Sequence, residues 1–524
     1  MAQEQVKPII LAIMDGWGIS SPSQKGNPIT PKNAPNYFNW LKKYPSTKIC
    51  ASGLSVGLVK NEDGNSEAGH FNLGAGRVVK QDKIYINDSI KDGTFFKNSA
   101  FFQAIHHLKK YKTSAHVMGL LSNHNSAHSS PEHIYAVLEM LRQNGVKNVY
   151  LHLFTDGRDS GQHDALQHLK KLREFMQNGE KIATIMGRFF AMDRGKNWDR
   201  VKLAYDAIVA GKGVRETAKS GEEAIAQAYN SEETDEFISP TVIMENEKPI
   251  ATIKDNDIII FFNMRSDRAR EITKTFVQKD FEKMNHGIFK RAVVPKNIRF
   301  VAMTDFGPDL PGVLTAFPGR EIKNSLPQVL CASLRRQLYI AETEKFAHVT
   351  YFFNGGKAKH FCDEDWVKIP SVATDNYCKK PAMSAKKITD HILKSIDKNK
   401  YEFICVNYAN PDMVAHSGDF KATEIAIKTV NKEVERLVKK VIKKNGQMII
   451  TADHGNAEEL INLQTGEIDT EHSSNLVPFI IVGKEFVNKK IKFIKKGKLA
   501  DVAPTILKIM QIDKPRDMTG KSLF

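Results

Sequence analysis

Short apolar runs recur from one end of the chain to the other, separated by longer stretches of helical period. They include PIILAIM, HVMGLL, NVYLHLF, KIATIM, DIIIFF, IRFVAMT, HVTYFFN, FICVNYA, QMIITA and VPFIIVG. Strand-like runs alternating with helices are the pattern of parallel sheets covered by helices, so the expected class is α/β. At 524 residues the chain exceeds what one hydrophobic core usually supports, and 41% hydrophobic residues are ample for two globular domains.

Polar residues at the ends of these runs carry the candidate chemistry. Asp15 ends the first run just before Gly16 and Gly18, and Asp453 ends QMIITA just before Gly455. Both therefore sit at the carboxyl ends of predicted strands, where open α/β sheets place their ligands. Asp412 and His416 are four apart in NPDMVAHSG and share a face if that segment is helical. His454 adjoins Asp453, and His472 lies in a polar stretch before VPFIIVG with no periodic reason to be there. Any one of these residues alone could be a cap or a surface side chain. Together they form an oxygen and imidazole set without thiolate, which suits Mn²⁺, Mg²⁺ or Zn²⁺, and a hydroxyl beside such an ion can ionise at neutral pH. Ser66, in GNSEAGH, fits a serine presented at a helix N-terminus, where amides and the helix dipole favour a phosphoserine.

Paired arginines follow two other strand-like runs. Arg188 and Arg194 lie in GRFFAMDRGKNWDR, and Arg265 and Arg268 in FFNMRSDRAR. Planar guanidinium forks grip phosphate and carboxylate bidentately, as lysine cannot.

In chain order, DGWG, GNSEAGHFNLGAGR, DGRD, GRFFAMDR, NMRSDRA, AETEKFAHVTYFFNGG, ANPDMVAHSG, TADHGNAE and LADVAPTILKIM resemble cofactor-independent phosphoglycerate mutase, a family of the alkaline phosphatase superfamily. The likeness runs from about residue 8 to the end of the chain. It implies an alkaline-phosphatase-like parallel-sheet domain, residues 1–80 and 319–524, interrupted by a second α/β domain, residues 81–318, that binds substrate. Candidate hinges are VVKQDK near residue 80 and TAFPGRE near residue 318.

The resemblance further implies that Asp412, His416 and His472 hold one metal ion, and Asp15, Ser66, Asp453 and His454 a second. Ser66 becomes the nucleophile. Lys345 and Asp159 join it as catalytic residues, and substrate-binding roles fall to His128, Arg158, Asp159, Arg188, Arg194, Arg265, Arg268 and Lys345. Two divalent ions are expected, Mn²⁺ first and Mg²⁺, Co²⁺ or Zn²⁺ as alternatives, with no 2,3-bisphosphoglycerate. The implied reaction interconverts 2- and 3-phosphoglycerate through a phosphoserine, in glycolysis and gluconeogenesis. Closure between domains should keep water from the phosphoserine.

Some segments depart from the family's pattern. SNHNSAHSS lacks the family's glycines and leaves His124 beside His128 as a candidate imidazole, DGRD continues with SGQHD, and residues 360–384 diverge. A phosphatase or phosphodiesterase of the same superfamily would share the metals and lack the arginines, and a sugar-phosphate mutase would need a different cap. Lys+Arg 76 against Asp+Glu 60 gives +16 and raises a nucleic-acid or membrane partner. The densest basic stretch, KEFVNKKIKFIKKGK, reads better as a solvated strand and turn, and the expected partner is phosphoglycerate alone, with no nucleic acid. Five cysteines without CxxC spacing suggest no disulfide framework and fit a reducing interior. MAQEQVKP has no signal pattern, and no run is long enough to span a bilayer. A cytoplasmic monomer is expected.

Overall fold

The computed structural model describes residues 6–524 apart from 178, 216, 320, 363 and 375. Two units emerge, one from Met1–Gln81 and Arg320–Phe524, the other from Asp82–Gly319. The first unit begins with β1 (Ile9–Met14) and β2 (Ser46–Ile49). The second contains β3 (Ala115–Leu121), β4 (Val149–Thr155), β5 (Glu180–Gly187), β6 (Thr241–Val242), β7 (Met244–Glu245), β8 (Lys248–Pro249), β9 (Ile258–Phe261), β10 (Arg299–Thr304) and β11 (Leu314–Phe317). The first unit is then completed by β12 (Gln337–Glu342), β13 (Glu364–Ile369), β14 (Phe403–Tyr408), β15 (Gln447–Thr451) and β16 (Val477–Val482).

In the first unit the sheet order is β13-β12-β14-β1-β15-β16-β2. The strands from β13 to β15 pair in parallel, whereas β16 pairs antiparallel with both β15 and β2, so the sheet is mixed rather than purely parallel. All six residues of β1 are buried, as the unbroken run IILAIM requires of a central strand covered on both faces. The helix Phe420–Lys443 helps cover it, burying Ile427, Val430, Val434, Leu437 and Val441 at three- and four-residue spacing.

HVTYFFN departs from the expected strand. Its β-branched and aromatic residues form a turn of π-helix over His348–Phe352, with Thr350 Oγ1 donating back to Phe346 O at 2.6 Å. The turn packs against the helix Ser66–Ala75 so closely that a Cβ on Gly74 would lie 1.9 Å from Phe353 O. A further difference concerns the cysteines. Cys331 and Cys362, 31 residues apart, are joined in a disulfide with Cα atoms 5.6 Å apart. Parallel pairing of Gln337 with Glu364 brings together the segments that precede β12 and β13, a proximity invisible in cysteine spacing.

In the second unit the order is β11-β10-β9-β3-β4-β5-β6, parallel except for the β5–β6 pair. Alternate residues of β9 enter two separate clusters, Ile258 and Ile260 on one face, Ile259 and Phe261 on the other. Of the stretch TAFPGRE, Thr315–Phe317 belongs to β11 rather than to a linker, and residue 320 lies outside the described residues. Within the diverged stretch 360–384, residues 363 and 375 also lie outside them. No helix of the described residues is long and apolar enough to cross a membrane.

Candidate active site

Register places the first cluster. Ile13 of β1 pairs with Thr451 of β15, and Met14 with Tyr408 of β14, so these three parallel strands end level. Asp15, Asp453 and the helix Asn410–Ala415 with Asp412 all follow at that one edge. Lys345 follows β12 at the same edge. His472 arrives from the other chain direction, because β16 runs antiparallel and the bridge Gly455–Ser473 draws the residues before it alongside His454.

Ser66 opens the helix Ser66–Ala75, and Asn65 caps that helix by accepting from the Ala68 amide at 2.8 Å. The cap is thus supplied by Asn65, and the Ser66 hydroxyl is free for other contacts. Lys345 Nζ donates to Ser66 Oγ at 2.7 Å, to Asp15 Oδ1 at 2.8 Å and to Asp412 Oδ2 at 2.7 Å. His454 Nε2 lies 2.9 Å from Ser66 Oγ, 3.4 Å from Asp15 Oδ1 and 3.5 Å from Asp453 Oδ2. His416 Nε2 and His472 Nε2 are each 3.3 Å from Asp412 Oδ1 and 3.2 Å from one another.

The imidazoles are oriented for ligation. His416 Nδ1 donates to Thr470 O at 2.8 Å and His472 Nδ1 to Gly64 O at 2.8 Å. A carbonyl can only accept, so each Nδ1 carries the hydrogen and each Nε2 is turned toward the carboxylates, the usual arrangement of a metal-binding histidine. Donor atoms of Asp412, His416 and His472, of Asp15, Asp412 and His454, and of Asp15, His70 and Asp453 gather within 4.8 Å in each group. This oxygen and imidazole chemistry fits divalent metal.

Electrostatics points the same way. Burial opposes the charge on Lys345, but Asp15, Asp412 and Asp453 outweigh it and hold the ammonium far above its usual range. Burial likewise opposes a charge on His454, and Asp453, Asp15 and Asp412 push it up to about 10. Burial would raise the Asp453 and Asp412 carboxyls, yet His454 and His70 around the first, and Lys345, His416 and His472 around the second, keep both well below the carboxylate range. The cluster is a buried concentration of negative charge compensated by cations.

Supporting residues that the sequence reading passed over are His70, Asn407 and Asn456. His70 Nδ1 lies 3.2 Å from Asp453 Oδ2, Asn407 Nδ2 donates to Asp15 Oδ2 at 2.6 Å, and Asn456 Nδ2 to Asp412 Oδ1 at 2.8 Å. His70 and Asn456 stand inside GNSEAGH and TADHGNAE, so the motifs held that signal; Asn407 lies inside β14 and gave none. Gly69 lets helix and loop approach, since a Cβ there would lie 2.6 Å from Asp453 O and 2.8 Å from Asp453 Cβ. Gly69→Ala is expected to cost about 1–3 kcal/mol through overpacking. The readout is the denaturant midpoint, and an unchanged midpoint would mean that the loop gives way freely.

The second cluster lies in Asp82–Gly319. Arg188, 2% exposed, places NH1 2.5 Å from Asp156 Oδ1 and 3.0 Å from Asp159 Oδ2. Ser126 Oγ donates to Asp159 Oδ2 at 2.7 Å. Burial would raise the Asp159 carboxyl, but Ser126 and Arg188 hold it below its ordinary value. His128 is buried, and burial followed by the Arg188 charge pushes its imidazole down to about 4, leaving it neutral at pH 7. His124 instead points outward to Glu132, 3.1 Å away, so of the two histidines only His128 lies among the arginines. Arg194 NH1 and Arg265 Nε flank the carboxylate of Asp267 at 3.0 Å and 3.1 Å. Arg268 is buried enough, and near enough to Arg188, Arg194 and Arg158, that its guanidinium is held below its ordinary value. Arg158 is half exposed, 3.7 Å from Glu236. Asp156 and Asp267, inside DGRD and NMRSDRA, are further residues that the sequence reading passed over.

Comparison with known proteins covers the whole chain. Residues 86–308 match the family described as BPG-independent PGAM N-terminus. A 2,3-bisphosphoglycerate-independent phosphoglycerate mutase of Clostridium novyi is 45% identical over 520 residues, 99% of each chain. One from Methanosarcina acetivorans is 46% identical over 527 residues, 100% of this chain and 99% of the relative. The crystal structure of Leishmania mexicana phosphoglycerate mutase at low cobalt concentration superposes with a TM-score of 0.73 at 27% identity, covering 100% of this chain and 99% of the other. A likeness of that strength across the full length, over both sheets and both clusters, means that the chain belongs to the 2,3-bisphosphoglycerate-independent phosphoglycerate mutases, enzymes of the isomerase class.

Proposed function

We propose that the chain interconverts 2- and 3-phosphoglycerate by passing the phosphoryl group through Ser66. Two divalent ions, Mn²⁺ foremost, would be held by Asp412, His416 and His472 and by Asp15, Ser66, Asp453 and His454. The observation that carries this reading is the position of Ser66 Oγ, within 3.4 Å of Lys345, His454 and Asp15 at once.

Lys345 is held cationic by Asp15, Asp412 and Asp453, and His454 would direct its Nε2 lone pair to a metal ion, so neither takes the Ser66 proton. Divalent ions bound by these residues would supply Lewis acidity, lowering the hydroxyl's pKa and offsetting charge on the transferring oxygens. Ser66 Oγ forms a bond to phosphorus as the phosphorus–oxygen bond of the ester breaks, and glycerate departs with that oxygen, which takes up the proton that the Ser66 hydroxyl gives up. Lys345 offsets the phosphoryl charge. The arginines and the neutral His128 retain glycerate by its carboxylate and hydroxyls. Asp159, kept ionised by Ser126 and Arg188, takes the proton of the other hydroxyl as it attacks the phosphoserine. Such a reaction serves glycolysis and gluconeogenesis, and a monomer in the cytoplasm suffices for it.

The test is an assay of metal-loaded protein with 3-phosphoglycerate and no bisphosphoglycerate, which should yield 2-phosphoglycerate with little free phosphate. Arg265→Ala or Arg158→Ala should raise phosphate release relative to isomerisation by roughly ten-fold or more, because glycerate escapes before recapturing the phosphoryl group. An unchanged partition in both variants would remove these arginines from glycerate retention.

A further inference from the structure

Glu271 stands in the first turn of the helix Arg270–Val277, directly after the NMRSDRA arginines, and is 7% exposed. Its Oε1 accepts the Lys196 amide at 2.9 Å, while Oε2 is buried and receives no N–H or hydroxyl donor. The carboxyl beside it belongs to Asp193, also 7% exposed and already rich in donors. Asp193 Oδ2 takes the amides of Gly195 at 2.8 Å and Asn197 at 2.9 Å, and Oδ1 takes Asn197 Nδ2 at 2.9 Å. Two carboxyls facing each other away from water share one proton, and the donor-poor partner carries it. Here that partner is Glu271.

This contact joins the two arginine-bearing segments. Among the described residues three other side-chain links cross between them, Arg268 NH1 to Met192 O at 3.3 Å, Arg194 NH1 to Asp267 Oδ2 at 3.0 Å and Asn263 Nδ2 to Met192 Sδ at 3.7 Å. The first two use guanidinium groups that a phosphoglycerate would recruit and the third is a weak amide–thioether contact, so the Glu271 contacts are the strong ones that a bound substrate leaves intact. They also hold a demanding backbone. Lys196 has φ +59°, a left-handed conformation that an L residue adopts when its surroundings enforce it.

We propose that Glu271, buried beside Asp193 and accepting the Lys196 amide, is a positioning residue that locks the Asp193–Asn197 turn against the NMRSDRA segment and thereby sets the affinity for phosphoglycerate. The inference rests on the reading that Arg194 and Arg268 bind substrate.

Burial first, then the hydrogen bond with Asp193, pushes the Glu271 carboxyl up to about 7. The cations around it are committed elsewhere. On its own helix, Arg270 and Lys274 both pair with Asp309, the latter at 2.9 Å. From the helix Trp198–Ala210, Arg200 stacks 3.8 Å over Phe189 with NH1 3.5 Å from Asp193 Oδ1. On the turn, Arg194 pairs with Asp267. A second negative charge beside Asp193 would therefore repel it, and the turn would loosen as Glu271 ionises above neutral pH.

The experiment compares the metal-loaded enzyme with Glu271→Gln, whose amide donates to Asp193 and whose carbonyl accepts the Lys196 amide at every pH. The KM of the unaltered enzyme divided by that of Glu271→Gln cancels titration of the substrate and of the metal centre. It should rise roughly three- to ten-fold between pH 6.5 and 8.5, with kcat changing less. Glu271→Ala should show a raised KM throughout. A merely structural role would leave the ratio flat. Parallel KM profiles alongside a raised KM in Arg194→Ala would overturn the inference alone. An unchanged KM in both Arg194→Ala and Arg268→Ala would overturn the substrate reading and the inference with it.

Discussion

Ser66→Ala is expected to lower isomerisation by at least about three orders of magnitude while leaving the fold intact. The substitution removes one hydroxyl whose contacts are Lys345 at 2.7 Å, His454 at 2.9 Å and Asp15 at 3.4 Å, and the helix keeps its cap because Asn65 provides it. Without Oγ no covalent phosphoryl acceptor stands at the centre of the cluster. Quenching the unaltered enzyme during turnover should yield a peptide phosphorylated at Ser66, and circular dichroism and thermal unfolding of the variant should match the parent. Substantial mutase activity in Ser66→Ala would exclude the covalent route. Dominant phosphate release by the unaltered enzyme would favour a hydrolase.

Chelation is expected to abolish activity, and reloading with Mn²⁺ to restore it far better than Ca²⁺, which prefers more oxygen ligands at longer distances. Loading should also release protons. The His454 imidazole, pushed up to about 10, carries a proton at neutral pH that must leave before Nε2 can act as a ligand. His416, raised by its hydrogen bond to Asp412, moves in the same direction. Each proton displaced makes the apparent affinity rise about ten-fold per pH unit while that group remains protonated in the metal-free state. For His454 the gain therefore continues through neutral pH and ends near its own value. Calorimetric titration at pH 6.5 and 8.5, in two buffers of different ionisation heat, measures both effects. Affinity independent of pH with no proton release would count against imidazole ligation, and full activity after exhaustive chelation would remove the metals from the mechanism.

The legibility of the site varied with how local its causes are. Asp15 and Asp453 were readable because each ends an apolar run, and a strand's carboxyl end has the same meaning in any open α/β sheet. Asp412 and His416 were readable from a four-residue spacing, and the helix Asn410–Ala415 brings them to 3.3 Å. HVTYFFN misled because β-branched and aromatic residues favour strands only where a neighbouring strand is offered. Against the helix Ser66–Ala75 the same residues coil into a π-turn. Asn407 was invisible, since inside β14 a buried polar residue reads as a break in an apolar run until Asp15 stands beside it.

The sequence by itself determined the α/β class, the strand ends that could carry ligands, and a serine at a helix N-terminus. These follow from nearest-neighbour chemistry: apolar continuity, helical period and the hydrogen-bonding capacity of side chains next to a helix start. Only the tertiary structure decided which strand ends share an edge. It brought His472 in through the antiparallel β16, seated Lys345 between Asp15 and Asp412, drew Cys331 to Cys362, and set Glu271 against Asp193. Each of these depends on pairing between segments tens to hundreds of residues apart, which no local period encodes and which burial of the whole sheet selects.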